Sequence, residues 1–301
     1  MKTSWPTIFV PIVTSFNHRG DVFIEGTKNI ISFLYDQGIH GIWLLGSYGS
    51  FPLLSSDERI FITTEAVNHA QNLGMRTIVN VGAPATRTAV ELAQHAEKCG
   101  ADAVAAVVPF YYSSTHYRLA NNLEFFSSLV ENVRIPVIYY NNAGATGFSP
   151  SNHFIRELAK IGIAGIKDKG DFVAMAERCQ EMRRHQPDAI YLSGATSVHL
   201  QGHLVGADGV TSGTALAAPK LVTGLQAALD DGAIDEALRI QKLILKVRVA
   251  MGRYAGRAVS AYDALAHFGI DAGTCRSPWL RLTEIQAREV IQEIDQLVAE
   301  L

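Results

Sequence analysis

The sequence predicts a (β/α)8 barrel followed by a helical extension, and three observations carry that prediction. Eight short apolar runs rich in β-branched residues recur across residues 1–220. Each is apolar at odd and even positions alike, as strands covered on both faces are, so the sheet is expected to be parallel. The segments between them read as helices that close on glycine, and the unit repeats roughly every 20 to 35 residues, as βαβ units do.

The strand candidates, in order, are residues 7–13 (TIFVPIV), 41–45 (GIWLL), 76–81 (RTIVNV), 102–108 (DAVAAVV), 135–140 (IPVIYY), 163–167 (IAGIK), 189–193 (AIYLS) and 208–212 (DGVTS). Between the second and third, Ser55 and Glu58 have capping-box spacing at the start of a helix that closes at Gly74. Gly38, Gly100 and Gly162 close other helices a few residues before the next strand. Eight consecutive units favour a closed barrel over an open doubly wound sheet, which more often stops at five or six strands. Past residue 220 the strand signal ends. Helical stretches at about 221–251, 257–268 and 284–300 are expected to form the extension, so the chain divides into a barrel of residues 1–220 and three helices over 221–301.

Composition excludes several function classes. The 301 residues carry 18% charged side chains and a formal net charge of −3, with no basic stripe for a phosphate backbone, so no nucleic-acid partner is expected. No apolar run approaches the eighteen residues of a membrane span, and the first sixteen residues lack the pattern of a signal peptide. Cys99, Cys179 and Cys275 are too widely spaced for a metal or redox motif and odd in number, which fits a reducing, cytoplasmic setting.

In such a barrel the chemistry lies where strands end at their C-terminal edge. The residues expected there are Gly46, Ser47, Tyr48, Gly49 and Ser50 after strand 2, and Tyr111 and Tyr112 after strand 4. Strands 5 to 8 contribute Tyr140 and Asn141, Lys167, Gly194, and Thr211 and Ser212. This rim has one amine, several hydroxyls and almost no carboxylate or histidine. It therefore lacks the ligands for metal-assisted or two-carboxylate chemistry. A desolvated lysine has its pKa lowered towards neutrality, and a neutral amine is a nucleophile for ketones. The turn at residues 44–51 (LLGSYGSF) offers backbone amides to a carboxylate, although a plain βα turn has the same spacing. Lys167 could equally snorkel at the rim, and Tyr140 could be a core tyrosine.

Read together, these segments resemble the dihydrodipicolinate synthase and N-acetylneuraminate lyase superfamily of class I, pyruvate-dependent aldolases, over nearly the whole chain. GSYGS (46–50) stands where that family has Gly-Thr/Ser-Thr-Gly-Glu, and YNNAGATG (140–147) where it has Tyr-Asn-x-Pro-x-x-Thr-Gly. GIK (165–167) matches its Schiff-base segment, and PFYY (109–112) its Pro-Tyr-Tyr. The resemblance implies that Lys167 forms an imine with pyruvate, with no other cofactor and no metal. It further implies that Tyr140 shuttles protons and that Ser47 and Tyr48 take the carboxylate. Gly46, Gly49, Gly194 and Thr211 complete the expected substrate-binding set. Tyr111 would be lent across a tight dimer to a hydroxyl relay with Ser47 and Tyr140, in a homotetramer built as a dimer of dimers.

Departures from that pattern bear on the substrate. The family glutamate is Ser50, its usual small hydroxyl residue is Tyr48, its proline is Ala143, and the arginine of dihydrodipicolinate synthases is Ala145. Loss of that guanidinium removes a bidentate carboxylate partner. The expected activity is therefore a lyase joining or cleaving pyruvate and an aldehyde, on a 2-keto-3-deoxy sugar acid or related 2-oxo acid. Dihydrodipicolinate synthase, a dehydratase using the same imine, and a non-catalytic 2-oxo-acid-binding scaffold are the alternatives. The loops at 192–197 and 210–219 also admit a phosphate-binding barrel. His199 and His203 are expected on a solvated helix face, and Arg239, Lys242, Lys246 and Arg253 on a charged surface stripe.

Overall fold

The structure, a computed structural model, describes residues 5–112 and 117–301. Eight parallel strands close on themselves in sequence order: β1 (Ile8–Pro11), β2 (Gly41–Leu44), β3 (Arg76–Asn80), β4 (Ala103–Ala106), β5 (Val137–Asn141), β6 (Gly165–Asp168), β7 (Ile190–Ser193) and β8 (Gly209–Thr211). Each expected strand is present and shorter than its apolar run. Val107 and Val108 explain why: they are buried but lie beyond the end of β4, so burial outlasts the ladder.

The barrel helices are α1 (Ile24–Asp36), α2 (Ser56–Asn72), α3 (Thr86–Lys98), α4 (Leu119–Asn132), the single turn α5 (Ala143–Thr146), α6 (Asn152–Lys160), α7 (Phe172–His185), α8 (His199–Leu204) and α9 (Pro219–Asp230). The capping box of α2 forms as its spacing requires: Glu58 N–H donates to Ser55 Oγ at 3.1 Å and Ser55 N–H to Glu58 Oε2 at 2.9 Å. Gly38, Gly74, Gly100 and Gly162 all take positive φ at the helix ends. Between sheet and helices the core is tightly aromatic in places, as where Tyr139 meets Phe126 and Phe154 edge-on.

Two expectations are corrected here. The stretch expected as one helix over 221–251 is two, α9 and α10 (Ile234–Met251), because Gly232 turns left-handed at φ 68° and Ala233 N–H closes on the Ala228 carbonyl. His199 is not on a solvated face: it is 2% exposed and hydrogen-bonds Gln226 Oε1 through Nε2 at 2.9 Å, and burial lowers its pKa to about 4.

The last helices, α11 (Arg257–His267) and α12 (Glu284–Ala299), complete the extension. They do more than cover the barrel. Gln241 of α10, itself buried, donates to the Thr196 carbonyl at 2.9 Å and accepts from Leu200 N–H at 3.1 Å, pinning α10 to the turn after β7. Tyr262 of α11 donates to the Thr14 carbonyl at 2.6 Å, just past β1. Both helices are thereby fixed at the mouth where the strands end.

Candidate active site

Lys167 is the next-to-last residue of β6 and is only 3% exposed. Its register partners are Tyr140 on β5 and Leu192 on β7. The ammonium nitrogen stands 4.1 Å from the centroid of the Tyr140 ring and 4.2 Å from that of Trp43. No ion pair holds it among the described residues. Burial first, and the charge of Lys169 second, push its pKa well below the ordinary lysine value. The amine is thus held where its neutral, nucleophilic form is favoured.

Around it three hydroxyl and amide groups converge. Ser47 Oγ and Tyr140 Oη lie 3.3 Å apart, and Asn142 Nδ2 donates to both at 3.4 Å. Burial raises the Tyr140 pKa, with the Ser47 hydrogen bond opposing, so the phenol keeps its proton at rest and can donate it. Thr211 is 2% exposed, lines the same cavity, and its hydroxyl has no hydrogen-bond partner among the described residues. A buried hydroxyl left so is destabilising unless a ligand completes it.

The turn after β2 is bent by Leu45 and Ser50, both at positive φ without being glycine. Among the described residues the amides of Ser47, Tyr48 and Gly49 make no backbone hydrogen bond, so they are available to an anion. Thr14 Oγ1 fixes the turn from below by donating to the Gly49 carbonyl at 2.7 Å. Tyr48 crosses the mouth and lies on Gly213, where even a methyl group would collide with its ring. Burial raises the Tyr48 pKa, against the charges of Arg257 and Arg248.

The structure therefore brings Ser47, Tyr48, Tyr140, Lys167, Gly194 and Thr211 to one small cavity of about 60 Å³. Gly46 and Gly49 are buried in the turn and shape it without lining that cavity. Asn141 turns away to Asp168, and Ser212 bonds Thr196, so neither faces the cavity. Tyr111 is 89% exposed at φ 88° and Tyr112 is exposed beside it; within one chain neither reaches Tyr140. Ser50 and Ala145 line a second, apolar cavity of about 300 Å³ with Phe51, Phe110 and Trp279, which meets the first at Ser47.

Three cations of the cavity lie outside the residues the sequence marks for the site: Lys169 follows β6 in the loop, and Arg248 and Arg257 come from the C-terminal helices. The one signal in the sequence was their position on helices expected to pack beside the barrel. Among the described residues no three His, Cys, Asp or Glu side chains cluster as metal ligands, and no helix is long and apolar enough to cross a membrane.

Comparison with known proteins settles the lineage. The model of the dihydrodipicolinate synthetase family matches residues 5–297. The chain belongs to the dihydrodipicolinate synthetase family. An uncharacterized DapA-like lyase of Halobacterium salinarum is 34% identical over 89% of this chain and 86% of its own length. The 2-dehydro-3-deoxy-D-gluconate/2-dehydro-3-deoxy-phosphogluconate aldolase of Thermoproteus tenax is 30% identical over 95% and 92%. Among solved structures, YagE of Escherichia coli K12, in complex with pyruvate, superposes with a TM-score of 0.91 at 25% identity, covering 98% of this chain and 99% of its own. The expected (β/α)8 barrel with C-terminal helices holds, as does membership of the family. As a dihydrodipicolinate synthetase family member, the protein is a lyase of the pyruvate-dependent class I aldolase type.

Proposed function

We propose that the protein joins or cleaves a C–C bond between pyruvate and an aldehyde through an imine at Lys167, acting on a 2-keto-3-deoxy sugar acid or a related 2-oxo acid. The observation that carries this reading is the Lys167 amine: buried, paired with no carboxylate among the described residues, and facing Tyr140 near the end of β6. Its nitrogen lone pair adds to the keto carbon, and the keto oxygen leaves as water. The resulting iminium withdraws electrons from the adjacent carbon.

In the cleavage direction the substrate's 4-hydroxyl gives up its proton as the C3–C4 bond breaks. The bonding pair moves into the iminium as an enamine and the aldehyde departs. Protonation at C3 and attack by water then release pyruvate and regenerate the amine. Tyr140 and Ser47, in hydrogen-bond contact, are the groups placed to carry these protons. The free amides of the Ser47–Gly49 turn suit the pyruvate carboxylate.

The nearly full exposure of the Tyr111 ring supports its being lent to a second copy, within a dimer of dimers. Cys99, Cys179 and Cys275, odd in number and far apart in sequence, suit a reducing, cytoplasmic setting. The test is borohydride reduction in the presence of pyruvate, which is expected to add one reduced pyruvyl group to Lys167. An unmodified lysine in the peptide map overturns the reading.

A further inference from the structure

Facing Lys167, one wall of the small cavity is cationic. Arg248 comes from the last turn of α10, Arg257 is the first residue of α11, and Lys169 lies one residue past β6. No carboxylate lines the cavity with them, and none of the three forms an ion pair among the described residues. Other arginines of the chain do: Arg253 pairs with Glu293, Arg178 with Asp168 and Arg276 with Glu58. The missing acid sets this wall apart from those paired arginines.

The grouping is unfavourable as it stands. Arg257 sits at a helix N-terminus, where the macrodipole opposes a positive charge. Burial and Arg257 lower the pKa of Arg248, and burial together with both arginines lowers that of Lys169. Like charges held together in a partly buried wall destabilise the fold unless an anion joins them. A positive wall assembled beforehand is what a charged ligand requires.

One carboxylate does not account for it. The carboxylate of the 2-oxo acid has the turn amides of Ser47, Tyr48 and Gly49 available, so the three cations are left over. The larger cavity holds no cation, with Ala145 on its wall, so an anionic chain end has no partner there. Arg248 and Arg257 also line an outer groove of about 450 Å³, which makes them reachable from solvent.

We propose that Arg248, Arg257 and Lys169 form a second anion subsite, so that the substrate is a 2-oxo acid whose aldehyde half ends in a carboxylate or a phosphate-type oxyanion. This rests on the imine at Lys167, and it narrows the substrate class to dianions. The arginines offer bidentate donors and Lys169 a point charge, a set suited to either oxyanion.

The experiment is reductive trapping on Lys167 with three acids of similar length: 2-oxopentanoate, 2-oxoglutarate and 2-oxo-4-phosphonobutyrate. At least one dianion is expected to half-saturate at a concentration ~10-fold or more below that of 2-oxopentanoate, the gain of a charged hydrogen bond. Whichever dianion is favoured identifies the terminal group. In Arg257→Gln and in Arg248→Gln the ratio is expected to collapse towards unity, whereas Lys246→Gln, on the exposed side of α10, keeps it. Equal half-saturation for all three acids, or a preference that survives both arginine variants, overturns the subsite. Trapping by pyruvate distinguishes the two failures. If pyruvate labels Lys167 and no dianion is preferred, the subsite alone is wrong; if no acid labels it, the imine reading fails and the subsite with it.

Discussion

Tyr140 and Lys167 are partners across the β5–β6 ladder, with the lysine nitrogen 4.1 Å from the tyrosine ring centroid. Strand pairing fixes that relationship more firmly than loop contacts could, since both backbones are locked in one register. The ring face and the hydroxyl then have separate tasks, the first packing on the amine and the second bonding Ser47. Tyr140→Phe keeps the first and removes the second. Trapping of pyruvate on Lys167 is expected to persist at equilibrium while kcat falls by ~10²–10⁴-fold, the span of a general acid or base. Steady-state kinetics beside peptide mapping checks both, and an unchanged kcat would exclude the phenol from proton transfer.

The lowered Lys167 pKa sets a pH dependence whose sign is fixed. Imine formation needs the neutral amine, so kcat/KM rises with pH through the lowered value and levels off well before 10.5. Stability moves the same way. Between the folded and unfolded pKa values the unfolded chain binds more protons, so stability rises with pH across that window. Below the folded pKa both states are protonated and the destabilisation is complete. Lys167→Met should therefore raise Tm most at low pH, with the gain fading as pH approaches 10.5. A variant whose Tm difference is flat with pH would contradict the shift.

Gly213 accommodates the Tyr48 ring, and a methyl group there would stand 2.6 Å from its hydroxyl oxygen. Gly213→Ala must displace the Tyr48 ring and is expected to disturb through it the turn that carries the amides. A misplacement of about 1 Å in a positioning group can lower kcat/KM by ~10²-fold. The loss is expected in pyruvate half-saturation as well as in turnover, since the carboxylate site moves. Activity at the parent level would show that Tyr48 is free to shift without consequence.

Tyr111 belongs to the oligomer reading. If a second copy supplies its hydroxyl to Ser47 and Tyr140, Tyr111→Phe lowers kcat by ~10²-fold or more while sedimentation shows an unaltered assembly. An intact kcat in that variant removes Tyr111 from the relay.

What the sequence disclosed and what it hid follow from geometry. The strands were legible because burial on both faces leaves an unbroken apolar run, and Lys167 because that run stops on an amine. Arg248 and Arg257 were not. On a helix each residue turns about 100° from the last, and a cation on an amphipathic helix reads as solvated until the packing partner is known. His199 was misread for the same reason: Gln226, its partner, lies 27 positions away on α9. The break between α9 and α10 was hidden because apolar periodicity resumes on both sides of Gly232. Lys169 escaped because a loop residue's direction depends on the turn that carries it.

That turn is held by Asp168, and its partners make the last prediction. The carboxylate is fully buried between Lys167 and Lys169 and accepts five hydrogen bonds. Arg178 donates two, at 2.6 and 3.1 Å, and Asn141 Nδ2 and Gly170 N–H one each at 2.8 Å; the Tyr191 hydroxyl supplies the fifth. These donors come from β5, α7, β7 and the turn itself, so one carboxylate ties together the elements on both sides of the lysine. Removing one member of a buried ion pair strands the other in a poorly solvating interior, which typically destabilises by about 3–5 kcal/mol. Arg178→Met is expected to lose that much in chemical denaturation. Tyr191→Phe, which removes one hydroxyl donor from a carboxylate still bonded by four others, should lose about 1–3 kcal/mol. Because Gly170 N–H bonds Asp168, the Arg178 variant should also loosen the segment bearing Lys169. Its trapping by pyruvate should then weaken even at temperatures where the fold persists. A variant that is destabilised yet traps pyruvate at the parent half-saturation would confine Asp168 to holding the fold.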